Sequence, residues 1–214
     1  MTPWQRKRKT EAILTKKGVP DLSELPAIES EEETQLRTAE EVGIRIACLF
    51  LVVGHAFEPS MEDFKEYLVE HKLWDHLTPR ETAFMSNPSP DRQDVTEFTW
   101  RSEALFLLMW AAGLFEELPW PDTQSDTDEI VSKFPEYDQS PWPFIQGLKL
   151  RPKSEILDAS DLIYRLHWAT RSVESEDDSP LAGLDGGVVQ EWHHAINWVT
   201  KYEGLDWDEV TTDT

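Results

Sequence analysis

Asp158, Asp161 and Arg165 stand at spacings of three and four, so on a helix they share an arc of about 60°. Arg165 is within reach of at least one of the two carboxylates. A second helical stretch offers Glu191 and His193, and "WRSE" adds Arg101 and Glu103. Carboxylates beside an imidazole and guanidinium groups have two physical uses. In a cleft reached by solvent they bind a polar ligand or move protons between reacting groups. Closed off between helices, they form an ion-pair network that favours one docking of those helices over others. Both uses require side chains drawn inward. Only the cleft leaves a carboxylate unclaimed by an arginine.

Metal chemistry is more weakly signalled. "EWHH" contains Glu191 and His194, half of a carboxylate-bridged di-metal pattern. None of the other five histidines has Glu three residues before it, so the second half is missing. A single ion held by His193, His167 and one acid is the remaining arrangement. "GLDGGVV" sets glycines before a helix start but lacks a P-loop lysine, and "DWDEVTTDT" carries Val210 where a calcium loop needs an oxygen ligand. Cys48, inside "IACLFLVV", reads as a buried small hydrophobe. The residues therefore assign no metal and no cofactor.

The helices that carry these groups are themselves unusual. Over residues 154–173, Ile156, Ala159, Ile163 and Leu166 lie on one apolar face, while Leu157, Tyr164 and Trp168 form a second bulky patch. The charged stripe runs between the two, unlike a solvated face opposite a core. Over residues 188–202, Val188, Trp192, Ala195, Ile196 and Val199 make the apolar face. Glu191 sits at its margin, and His193 and Asn197 share the opposite flank.

Elsewhere, helix starts recur and strand signals are scarce. "SEEE" at Ser30, "TAEE" at Thr38 and "TPRE" at Thr78 all have the capping-box spacing. A long helix is expected to run from these first two boxes to about Phe57, and "SMED" at Ser60 opens another through Glu70. Residues 90–114 are apolar in every direction at their C-terminal half, which places that helix at the centre. The Pro-rich "PEYDQSPWPFIQGL" is expected to be irregular, and "ESEDDSPLAGLDGG" an acidic surface loop. The expected fold is all-α: one domain over 1–214, an orthogonal bundle of about seven to eight helices around the helix at 90–114. Residues 1–20 form a basic N-terminal helix packing on it, and 203–214 a polar C-terminal tail.

Charge limits the partners. Across 214 residues, 42 acidic side chains face 20 basic ones, a formal net charge of −22. Such a field repels nucleic acid and anionic lipid and suits a cationic protein partner. The most apolar stretches fall short of the roughly 20 residues that cross a bilayer, and no apolar run follows the basic N-terminus. A soluble cytoplasmic protein is expected.

In order along the chain, "GVPDLSELPAIESEEETQLRTAEEV", "LWDHLTPRETAFMSNPSP", "WRSEALFLLMWAAGLF", "LRPKSEILDASDLIYRLHWA", "EWHHAINW" and "WDEVTTDT" resemble a largely bacterial family catalogued as domain of unknown function 4272. Its final-helix pattern, Glu-Arg-His-Tyr-Ala-Leu-Asn-Trp, is matched here by Glu191, His193, Ala195, Asn197 and Trp198. Trp192 replaces its Arg and His194 its Tyr, so the Glu191–His194 metal half-pattern is not a family feature. The resemblance implies one helical domain and brings no activity with it. The expected function is binding through an acidic surface, one version being the neutralisation of a cationic partner. The alternative is an enzyme or small-ligand site between helices 154–173 and 188–202.

Overall fold

Capping residues decide where most of the helices begin. In the computed structural model, which describes residues 1–20, 22–59, 63–172 and 181–213, the Thr2, Thr38 and Thr78 side chains each accept a bond from the backbone three residues on. Gln5, Glu41 and Glu81 return a bond to the Thr backbone. These reciprocal pairs open α1 (Pro3–Lys16), α2 (Ala39–Phe57) and α4 (Pro79–Ser86). Ser30 and Glu33 make the same pair of bonds, yet only a turn follows. The reason is Lys153, whose ammonium takes the carbonyls of Glu31 and Thr34 that a continuing helix would need. The helix expected from Ser30 therefore starts at Ala39.

The remaining helices are α3 (Asp63–Glu70), α5 (Arg92–Ala111), α6 (Thr127–Ser132), α7 (Trp142–Gly147), α8 (Lys153–Ser172) and α9 (Gly186–Val199). Among the described residues there are nine α-helices and no strand, one or two helices more than expected. The surplus includes α7, which lies inside the stretch read as irregular. Its prolines fall at the first turn, where a missing N–H costs nothing. The expected opening of α3 at Ser60, the end of the 154–173 helix at Val173 and the first half of the acidic loop lie outside the described residues; the rest of that loop buries Leu184 and ends in the first turn of α9.

Helix α5 lies between α2 and α9, and every side chain from Ser102 to Ala111 is buried. Gly187 lets α9 approach it: a Cβ there would meet the Trp100 ring at 2.7 Å. On its other side α9 packs against α8, and α1 lies across α8. A smaller apolar cluster of Leu14, Leu22, Leu166 and Val189 joins α1 to that pair. The C-terminal stretch is more than a polar tail, since Trp207 and Val210 are buried and Trp207 packs on His194 and Trp198. No helix among the described residues is long and apolar enough to cross a membrane.

Candidate functional site

Helix α8 turns its charged stripe toward α1 and the irregular segment 22–35. Asp161 and Arg165 are both fully buried; Arg165 Nη2 donates to Asp161 Oδ1 at 3.0 Å and Nε to Oδ2 at 3.2 Å. The same guanidinium donates to the Pro26 carbonyl at 2.8 Å, tying the irregular segment to the helix. Arg165 bonds Asp161 and leaves Asp158 to the N-terminal helix. Asp158 accepts from Arg6 Nε at 2.8 Å and from Lys9. Burial works to raise the Asp158 carboxyl, but Lys9 and Arg6 outweigh it and hold it below the usual carboxylate range. Arg6, itself fully buried, also meets Glu31.

A different seam holds Arg101, Glu191 and Glu103. Arg101 Nη1 donates to Glu191 Oε2 at 3.0 Å between α5 and α9. Glu103 meets no arginine: its carboxylate accepts the Ser125 N–H and hydroxyl, each at 2.8 Å. Burial raises both carboxyls, against the pull of Arg101 on Glu191 and of Ser125 on Glu103. Residues two apart on a helix point about 200° away from each other. Glu191 therefore faces α5 while His193 faces α8, and the two cannot line one cavity. The seven residues singled out in the sequence are thus divided among separate seams, and His193 lines an open cavity.

That cavity, of about 630 Å³, lies where α8 and α9 meet the 26–35 segment and the turn after α9. Helix α8 presents Ser160 and Tyr164 to it, and α9 presents His193, Asn197 and Thr200; His167, buried behind that wall, continues the α8 stripe. The two stripes meet at the histidines, whose Nδ1 atoms lie 2.8 Å apart. One ring must donate and the other accept, so each is the other's tautomer partner. Burial pushes His193 down to about 3, helped by His167, and pushes His167 down to about 4, helped by Arg171. Both rings are neutral at physiological pH. Asn197 Nδ2 donates to the Thr211 carbonyl, so the C-terminal stretch fixes that amide. Glu29, Glu203, Asp213 and Lys201 stand at the solvent side. Lys201 and Glu203 both have positive φ, 51° and 54°, an uncommon conformation for non-glycine residues.

A family model matches residues 6–210 of the chain. The chain belongs to the family described as domain of unknown function 4272. The matched span includes Arg6, the buried anchor of Asp158, and all seven residues singled out in the sequence; Thr211 and Asp213 at the cavity lie beyond it. Neither a search of curated proteins nor one of solved structures returns a match. Among the described residues, no group of three or more His, Cys, Asp or Glu is placed to hold a metal ion. His193 and His167 meet each other with no acid joining them.

Ser160, Tyr164 and Glu203 were not singled out as site residues from the sequence. The signal was present in the matching four-and-three spacings of polar residues on both helices, masked by the more conspicuous charges one position away. Cys48 is buried, donates weakly to the Leu73 carbonyl and has its thiol pushed up to about 12 by burial; it is no nucleophile at neutral pH.

Proposed function

We propose that the chain is a binding protein of the cytoplasm, folded as one helical unit, whose acidic surface takes a cationic protein partner. The observation that carries this reading is the direction in which the basic side chains point. Arg6, Lys7, Arg45 and Arg165 are buried. Lys7, Arg37, Arg151 and Lys153 donate to backbone carbonyls of irregular segments and helix ends. Among the described carboxylates, only Glu81, Glu103, Asp161 and Glu191 are buried. The fold thus consumes cations for its own construction and leaves most carboxylates outside. A surface of that kind attracts basic protein and repels phosphate backbones.

The competing enzyme reading needs the charged residues of α5, α8 and α9 in one place, and they are distributed over several. Calorimetric titration with oligolysine, at low and at physiological salt, tests the proposal. Association that weakens steeply as salt rises is expected. No association, or association indifferent to salt, contradicts it.

A further inference from the structure

We infer that the cavity between α8 and α9 is a binding site for the ammonium group of a small hydroxylated amine. Its inner wall holds hydrogen-bonding capacity that the fold does not use. Ser160 is only 8% exposed, and its hydroxyl has no partner among the described residues. The Tyr164 hydroxyl, the Asn197 Oδ1 and the second ring nitrogen of His193 likewise meet no protein partner among those residues. Ser160, Asn197 and His193, each more than nine-tenths buried, and the half-buried Tyr164 converge on one cavity of about 630 Å³, a size usual for small-molecule sites.

The sign of the ligand follows from the mouth, and here the inference rests on the acidic-surface reading. Glu29, Glu203 and Asp213 face a single cation, Lys201, which itself leans toward Glu41 at 3.9 Å. Glu33, also on the wall, is tied to Ser30. Neutral His193 adds no opposing charge, and the Tyr164 and Tyr202 walls suit a cation better than an anion. The histidine pair permits either tautomer, and an ammonium ligand selects one. With His193 Nδ1–H donating to His167 Nδ1, the His193 Nε2 presents a bare lone pair to the cavity, an acceptor for N–H. The hydroxyls of Ser160 and Tyr164 complement the ligand's own hydroxyl groups.

Calorimetric titration of the full chain with glucosamine, and with glucose as its neutral counterpart, tests this directly. Glucosamine is expected to bind at least about tenfold more tightly than glucose. Ser160→Ala, which removes a hydroxyl the fold leaves unbonded, should weaken glucosamine several-fold without lowering the melting temperature. Glu203→Gln combined with Asp213→Asn should do the same by removing charge from exposed positions. Nitrogen NMR of the bound state should show His193 Nε2 unprotonated. Equal binding of both sugars, no binding of either, or affinity untouched by these variants overturns the site. If oligolysine still binds while the cavity variants change nothing, this inference fails and the proposed function stands. Glucosamine bound in the cavity without oligolysine association reverses that outcome.

Discussion

Replacing Arg165 with Ala removes the only cation bonded to Asp161 among the described residues. Both side chains are 0% exposed, held by bonds of 3.0 and 3.2 Å, and the same guanidinium supports the Pro26 carbonyl at 2.8 Å. Stranding a buried charge in this way costs about 3–5 kcal/mol. For a chain of this size, 1 kcal/mol corresponds to about 2–4 °C, so the melting temperature should fall by about 6–20 °C. The assay is urea unfolding followed by tryptophan fluorescence, with the midpoint lowered and the slope unchanged. The double replacement Asp161→Leu with Arg165→Met removes both charges together and should recover most of the loss. If Arg165→Ala costs less than about 1 kcal/mol, the range of exposed ion pairs, the pair is hydrated and the 22–35 segment does not seal it.

Three other perturbations have defined outcomes. His167, His193 and His194 have folded-state values near 4, 3 and 2, all below the ordinary 6.5, chiefly through burial. The unfolded chain then binds more protons at acid pH. Stability is complete above about 6.5 and is lost as pH falls toward 4, at about 2 kcal/mol per ring by pH 5. The raised carboxyls of Glu103 and Glu191 act in the opposite direction, to a smaller extent. Urea midpoints that stay level between pH 7 and 5 would contradict the burial of these rings. Gly187→Ala places a Cβ 2.7 Å from the Trp100 ring and should destabilise by about 1–3 kcal/mol through overpacking; an unchanged melting temperature would show that α9 and α5 are less closely docked. Glu203→Gly relieves a left-handed backbone at φ 54° and should raise stability by about 1 kcal/mol while weakening amine binding, a split that a purely structural turn would not produce.

The helices were legible because their starts are local chemistry. The boxes at Thr38 and Thr78 need only four consecutive residues, and both are present. The box at Ser30 has the same local signal, and it failed to extend because Lys153, distant in sequence, captures the carbonyls beyond it. The central helix was legible from its all-round apolar surface. The pairing of charges was less so. A wheel shows Asp158, Asp161 and Arg165 on one arc, but only the packing shows that Arg6 and Lys9 claim Asp158. The wheel does separate Glu191 from His193, since two residues turn a helix by about 200°. The cavity was the hardest part, because its wall is made of uncharged residues and of a turn and a segment with no periodic signal.

Backbone amide NMR of the labelled chain titrated with oligolysine tests the central claim most directly, namely that a cationic partner is received on the acidic surface. The account predicts shifts concentrated at segments that bear exposed carboxylates, fading as salt is added. Shifts centred instead on the cations Lys133, Lys149 and Arg151, or spread evenly over the surface, would contradict it.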